Sequence, residues 1–383
     1  MGKQKKQGTN SIPYFDYSLL AIIIFLLCFG LVILYSTSSY SAQIKFKGDA
    51  MYYFRKQALS SVLSLVGMFV VSKIDYHIYA KVAYLAYGVA MVLMILVQTP
   101  LGIEAYGARR WIRLPFNQQM QPSEVMKLAI VILIPLLICK AGKHIREWKV
   151  FFKILAWGVV AAAGVYFFTD NLSTALIVLG MVVLMLFVAH PKTAPFVGVA
   201  VLGIAVLALG VRMLDSMMLE GGGFRLQRVL VWLHPEQYAD EGGFQVLQGL
   251  YAIGSGGFFG KGLGNSAQKM IIPEVQNDMI LSIVCEELGV FGAIVILTLF
   301  GMMLYRLMFI AQNAPDMYGS LIVTGIFAHI ALQVFLNVAV VLNLIPTTGI
   351  TLPFISYGGT SILFLMAEMG LALGVSARIR LEN

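Results

Sequence analysis

Charge is what this sequence has least of. Only 12% of its 383 residues are Asp, Glu, Lys or Arg, against 59% hydrophobic. A soluble domain carries about 25% charged residues, so the deficit excludes a soluble fold. Cysteine is nearly missing too. Cys28, Cys139 and Cys285 each fall in or beside an apolar segment, without metal-ligand spacing, which argues against a disulfide framework and a zinc site. Short alternating strands are lacking; the apolar runs are long and continuous, which rules out an outer-membrane barrel in favour of helices. No internal repeat is visible, so an inverted-repeat transporter gains no support. No small-residue cleavage site follows the first apolar run, so that run is expected to stay as a transmembrane helix.

What is present is a series of apolar segments, each long enough to span a bilayer at about 17–25 residues. Ten are expected, near 17–37, 57–74, 79–98, 124–140, 154–169, 173–190, 195–214, 279–304, 319–342 and 359–377. The expected fold is therefore an all-α polytopic membrane protein, a single domain of about ten transmembrane helices. Residues 1–16 and 378–383 would be cytoplasmic tails, and 215–278 a large extracellular loop between spans 7 and 8. Lys3, Lys5 and Lys6 before the first span, the basic run from Lys140 to Lys153, Lys192, Arg306, Arg378 and Arg380 put both termini in the cytoplasm by the positive-inside rule. The outer loops break that rule. Lys45, Lys47, Arg55, Lys56, Arg109, Arg110, Arg113, Arg225, Arg228, Lys261 and Lys269 all lie outside. As a set they suggest an anionic ligand at the outer face, whereas any one of them has a plain alternative in a lipid phosphate or a loop carboxylate.

The polar stretch from Arg225 to Gly289 is what the apolar chain is organised around. Its glycine run, GSGGFFGKGLGNS, lacks the spacing of a phosphate loop: Ser255 stands where the first glycine is needed and Gly262 where Ser or Thr should follow the lysine. A re-entrant turn is the simpler reading, with exposed amides and Lys261 available to an anion. In PEVQND, Pro273 suits a helix start, which would place Glu274 and Asp278 one turn apart and Asp278, Ser282 and Glu286 on one face. Carboxylates at that depth are functional unless paired. For Glu286 and Glu287 pairing with neighbouring cations or polar groups is favoured; for Asp278, at the mouth of a span, catalysis is favoured. Trp111 among Arg109, Arg110 and Arg113 suggests stacking plus anion binding, with an interfacial anchor as the alternative. Glu124 and Lys127 are spaced to pair. His329 reads as a hydrogen-bonded core residue and Glu368 as a buried carboxylate of unknown partner. Gln333 and Asn337 precede PTTGITLPFISYGGTS, whose prolines, threonines, Ser356 and glycines break a helix at membrane depth; such backbone is tolerated only inside protein or lining a cavity.

Together these motifs resemble the SEDS family of shape, elongation, division and sporulation proteins, FtsW, RodA and SpoVE, with details closer to FtsW and SpoVE. The resemblance runs over nearly the whole chain. It rests on GARRWI with QPSE at 121–124, NLSTA at 171–175, GFQVLQ at 243–248, AIGSGG with GKGLGNS, PEVQND with EELG, and PTTGITLPFISYGGTS. It implies a membrane glycosyltransferase that polymerises lipid II into peptidoglycan at the outer leaflet of a bacterial cytoplasmic membrane. Asp278 would be its catalytic aspartate and Trp111 its functional tryptophan. The usual Thr-Asp-Phe context is Asn277-Asp278-Met279 here, and DNLSTA replaces the family's PDLGTA, so no charged role passes to Asn171. The residues fit that chemistry: Asp278 as general base in an inverting displacement of undecaprenyl diphosphate, and cations for the leaving group. The expected substrate contacts are Trp111, Arg109, Arg110, Arg225, Arg228, Lys261, Lys269, Glu274, Gln245 and Ser356. A divalent cation, Mg or Mn, bridging carboxylate and diphosphate is compatible with this, although no ligand spacing demands one. A class B penicillin-binding protein is the implied transpeptidase partner. Two other readings stand beside it: a flippase for the lipid-linked precursor, which would need an anion path to both faces, and a non-catalytic scaffold, which leaves Asp278 and Trp111 unexplained.

Overall fold

The computed structural model describes residues 12–105, 108–114, 118–198, 224–239 and 242–381. Apolar runs become helices because in lipid every backbone polar group must be satisfied within the segment. In chain order the helices are α1 (Tyr17–Lys45), α2 (Tyr52–Lys73), α3 (Tyr76–Leu96), α4 (Pro122–Ala141), α5 (Trp148–Thr169), α6 (Leu172–Ala189), α7 (Phe224–Leu233), α8 (Gly243–Gly256), α9 (Ile280–Asn313), α10 (Met317–Val341) and α11 (Ser361–Ser376). Eight of these are long and apolar enough to cross a membrane, and α11 is apolar but shorter. The chain is thus a polytopic helical membrane protein. Nine of the ten expected spans match helices in place; the seventh, 195–214, lies almost wholly outside the described residues.

Local chemistry sets several helix ends. Asp16 starts α1 by accepting from Leu19 N at 2.8 Å, Asn171 starts α6 by accepting from Thr174 N at 3.0 Å, and Asp316 starts α10 by accepting from Gly319 N at 2.8 Å. Pro122 opens α4 at its first turn, where proline's missing N–H costs nothing.

The fold is not purely helical. The loop between α3 and α4 is a three-stranded antiparallel ribbon of β2 (Gly102–Ala105), β3 (Ala108–Leu114) and β4 (Gln118–Met120). A second, two-stranded pairing joins β1 (Ile12–Tyr14) to β5 (Ile379–Leu381), so the two ends of the described chain meet on one face. Arg306 of α9 reinforces that face, with Nε 3.0 Å from Asp16 Oδ2.

The core lies where α4, α6, α9, α10 and α11 surround one another. It includes Ile130, Leu133, Val178, Met181, Ile283, Ile326 and Met369, all fully or nearly fully buried. A polar chain runs through this core. Lys127 Nζ is 2.8 Å from Glu124 Oε1 and 2.9 Å from His329 Nε2; His329 Nδ1 lies 2.6 Å from Glu368 Oε2. The pairing expected of Glu124 with Lys127 is present, His329 is a hydrogen-bonded core residue, and Glu368 acquires its partner.

The large loop corrects two expectations. Pro273 does not start a helix: residues 271–279 are turns, Glu274 has φ +47°, and α9 begins only at Ile280. Glu274 and Asp278 are therefore not stacked on a helix face, and Asp278 stands before the helix that carries Ser282 and Glu286. The glycine run is also no anion cradle. Lys261 N donates to Glu286 O and Gly262 N to Glu287 O, both at 2.9 Å. Both amides are therefore occupied.

Candidate active site

β3 decides which arginines face inward. Side chains alternate along a strand, and Ile112, beside Arg110 on the inward side, is buried while Arg109 and Arg113 on the other side are exposed. Arg110 thus turns toward the protein, where its Nη2 donates to Asp170 O at 3.3 Å. Trp111 is half-buried in the middle of β3, in register with Ile103.

Three further elements converge on Arg110. The segment after α10 is broken by Pro346 and Pro353 and held from below by Asn337. Asn337 Nδ2 donates to Ile350 O at 2.7 Å and to Asp278 O at 2.8 Å, so one amide ties the Asp278 backbone to the broken segment. From α7, Arg228 Nη1 donates to Thr347 O at 3.2 Å, and Trp232 Nε1 donates to Asn343 O at 2.9 Å. From α8, Gln245 Nε2 donates to Asp278 Oδ1 at 3.4 Å.

Gly349, with φ +70°, sits in the middle. A side chain added there would lie 3.9 Å from Arg110 Nη1 and 4.0 Å from Asp278 Oδ2. Arg110 and Asp278 thus flank a position the backbone leaves open, and glycine keeps it open.

The electrostatics are those of a buried carboxylate with a guanidinium nearby. Burial pushes the Asp278 carboxyl above the usual carboxylate range, while Arg228 and the hydrogen bond from Gln245 pull it back down. Burial and the charge of Arg228 lower the Arg110 guanidinium, and Asp170 opposes that shift. Arg110 and Arg228 repel each other and Arg228 acts on Asp278, an arrangement that an added anion would relieve. Three polar atoms near this place, Arg110 Nε, Asn337 Oδ1 and Thr348 Oγ1, are buried without a partner among the described residues. Buried polar groups are normally paired, so this cluster marks a site shaped for a polar ligand.

The other expected contacts lie elsewhere. Lys261 Nζ is 2.8 Å from Glu286 Oε1, and Lys269 Nζ is 3.3 Å from Glu287 Oε1 with both side chains buried. Glu286 also accepts from Ser266 Oγ, from Ala267 N at 3.2 Å and from Gln268 N at 3.3 Å. This is the pairing favoured for the two glutamates. Arg109 pairs with Glu104 at 3.2 Å, Arg55 with Asp49 and Glu274 with Lys45. Ser356 is buried, and its Oγ accepts from Leu352 N at 2.9 Å, closing a turn; it lines a small cavity of about 30 Å³ with Gln57, Glu124 and His329. Arg225 belongs to α7, but its side chain lies outside the described residues. The outer cations thus divide: several neutralise loop carboxylates, and Arg110 and Arg228 face Asp278. Asn337 is a site residue whose role sequence reasoning missed; its signal was a pair of amides, Gln333 and Asn337, one turn apart in an apolar span. Among the described residues no three His, Cys, Asp or Glu side chains group to hold a metal. Asp278 and, beyond Arg110, Asp170 are the acidic residues recorded here, and they do not group into a metal site.

A family model described as "Cell cycle protein", covering FtsW, RodA and SpoVE, matches residues 17–381. The chain is 36% identical to stage V sporulation protein E of Bacillus subtilis over 364 residues, covering 94% of this chain and 96% of that one. It is also 36% identical to a probable peptidoglycan glycosyltransferase FtsW of a Geobacter species over 371 residues, covering 96% and 98%. Among solved structures it is similar to a chain of a peptidoglycan synthase complex that coordinates polymerization and crosslinking, with TM-score 0.77, 25% identity and coverage of 94% and 97%. It is similar to a mutant of the rod shape determining protein RodA of Thermus thermophilus at TM-score 0.67, again with 25% identity and coverage of 94% and 97%.

Proposed function

The chain belongs to the FtsW, RodA and SpoVE family of cell cycle proteins, and from that premise we propose that the site around Asp278 polymerises lipid II. The protein is a peptidoglycan glycosyltransferase. The observation that carries the assignment of its site is the meeting of Asp278 and Arg110 at the open position at Gly349, with Arg228 bonded to Thr347 O nearby and its charge felt by both.

The reaction joins an acceptor sugar hydroxyl to the donor's anomeric carbon. Asp278 takes the hydroxyl proton as the oxygen attacks, and burial makes its carboxylate a stronger base than an exposed one. The new carbon–oxygen bond forms on the face opposite the breaking bond to the diphosphate oxygen, which inverts the anomeric centre. The leaving lipid diphosphate carries the displaced electron pair, and Arg110 and Arg228 hold its charge in a partly dehydrated setting where such contacts are strongest. The proton on Asp278 then passes to water. Gln245 and Asn337 orient Asp278, one through its carboxylate and the other through its backbone. Trp111, on the same strand as Arg110, offers a stacking face for a sugar ring. Magnesium or manganese at the diphosphate would add further charge neutralisation, drawing most of its oxygen ligands from the substrate.

The site faces the outside of the cytoplasmic membrane in this reading, with both termini in the cytoplasm. The partner would be a class B penicillin-binding protein that crosslinks the strands, in keeping with the likeness to a complex named for coordinating the two activities. The test is strand formation from labelled lipid II by purified protein with that transpeptidase present. Wild type should make long strands, and a folded, partner-binding Asp278→Asn none. Equal polymer from both would remove Asp278 from the mechanism.

A further inference from the structure

At the end of the bundle away from Asp278, α1, α2 and α11 leave an open groove. The two ends follow from the chain: Asp278 lies near the far end of α1, where Lys45 meets Glu274, whereas the groove is at α1's start. It is a shallow, open groove of about 650 Å³, lined by Phe15, Tyr17, Leu20, Phe69, Ser72, Lys73, Ala377 and Arg378, within the size range of small-molecule sites (about 300–1,000 Å³). One wall is fixed by close packing of α2 on α11. A methyl group at Gly370 would sit 2.6 Å from Met68 O, and one at Gly374 would sit 3.1 Å from Ser72 O. The other wall is the first turn of α1, held by Arg306 through Asp16 at 3.0 Å. The gap between them is bounded by fixed elements rather than a loose loop.

Its chemistry is that of an amphiphile's mould. Phe15, Leu20 and Phe69 make an apolar trough, and Tyr17 at its rim is 73% exposed. Two cations stand at one end. Lys73, in the last turn of α2, is exposed and makes no ion pair among the described residues. Arg378 donates to Gly374 O at 2.6 Å and lies over the Tyr76 ring. Its nearest acid, Asp75, is 3.9 Å away and already takes His77 Nδ1 at 2.7 Å. Among the described residues no carboxylate lines the groove. Only Ser72 and Ala377 of its lining are small, as close packing of another helix would favour; most of the apolar surface is Phe15, Tyr17, Leu20 and Phe69.

We propose that this groove binds one anionic phospholipid, with its phosphate between Lys73 and Arg378 and an acyl chain along Phe15, Leu20 and Phe69. Basic residues beside membrane spans attract anionic headgroups, and here two of them end an apolar trough of fitting size.

The test uses the full chain in nanodiscs of equal parts phosphatidylglycerol and phosphatidylcholine, followed by native mass spectrometry of the lipid retained on release into detergent. Wild type should keep one phosphatidylglycerol in preference to phosphatidylcholine. Lys73→Gln should lower that retention about fivefold and Arg378→Gln by a similar factor, while Lys73→Arg should keep it. Lys73 is exposed, so its variant decides the matter even if Arg378→Gln fails to fold. Equal retention by wild type and Lys73→Gln, or no preference over phosphatidylcholine, overturns the proposal. Stoichiometric displacement of the lipid by the transmembrane peptide of a penicillin-binding partner also overturns it, and gives the groove to a protein.

Discussion

Asp278 stands between opposing influences, and that sets how its activity should respond to pH. Burial raises its carboxyl above the ordinary value near 4, and Arg228 lowers it. The base must be ionised, so polymerisation should fall as pH drops through this raised pKa, with an acid limb above the usual carboxylate range. Arg228→Gln removes a lowering influence and should move that limb to higher pH, as well as reducing the rate about 100-fold by loss of charge stabilisation; a pH–rate profile of both proteins checks this. Linkage gives a second consequence. A carboxyl raised on folding adds stability that is full below the unfolded pKa and lost as pH rises through the folded one. Asp278→Asn is therefore expected to melt at a higher temperature than wild type at neutral pH, and a lower melting point would contradict the burial argument. Gly349→Leu should place a side chain between Arg110 and Asp278, at a strain of about 1–3 kcal/mol from its left-handed backbone. Polymer should vanish while the protein still folds and still binds its partner.

Helix α9 is broken near its N-terminal end, at Gly289, and the break seats the glycine loop. Gly289 has φ +71°, and a methyl group there would lie 2.2 Å from Phe258 O and 2.5 Å from Gly260 N. These are backbone atoms that cannot rotate away. Glu286 and Glu287, just before the break, receive Lys261 and Lys269, and Ser36 of α1 donates to Glu287 at 2.6 Å. The loop is thus clamped to α9, and α9 to α1, directly behind Asp278. Gly289→Ala should release residues 257–272 to limited proteolysis and lower the melting temperature. Lys269→Met, which leaves a buried carboxylate without its cation, should cost about 3–5 kcal/mol, read by thermal unfolding in detergent. Unchanged proteolysis in the first or an unchanged melting point in the second would show that the clamp is not structural.

At the scale of the molecule, the two faces carry different chemistry. One holds the orphaned polar atoms of Arg110, Asn337 and Thr348 with Asp278; the other holds the β1–β5 pairing and the Arg306–Asp16 bond. The buried line of Glu124, Lys127, His329 and Glu368 lies between them, within α4, α10 and α11. In a background without Cys28, Cys139 and Cys285, an impermeant maleimide added outside intact cells should label Phe259→Cys, in an exposed part of the loop, and spare Arg380→Cys. The reverse pattern would invert the orientation and place Asp278 in the cytoplasm.

Much of this protein was legible in its sequence because lipid imposes a simple rule. A long apolar run must be a helix, so nine of the ten spans could be placed from composition alone, and Asp278 could be singled out because a carboxylate at the mouth of a span is costly without a purpose. Motif order supplied the family. The division of the outer cations was not legible. Lys261, Lys269 and Arg109 look the same in sequence as Arg110 and Arg228, and what separates them is which carboxylate each meets across the fold. The alternation of β3, the non-helical turn after Pro273, and Asn337 tying Asp278 O to Ile350 O all depend on partners distant in sequence. Apolar periodicity fixes where a segment sits relative to the membrane, whereas pairing between charges is decided only once tertiary packing brings them within a few ångströms.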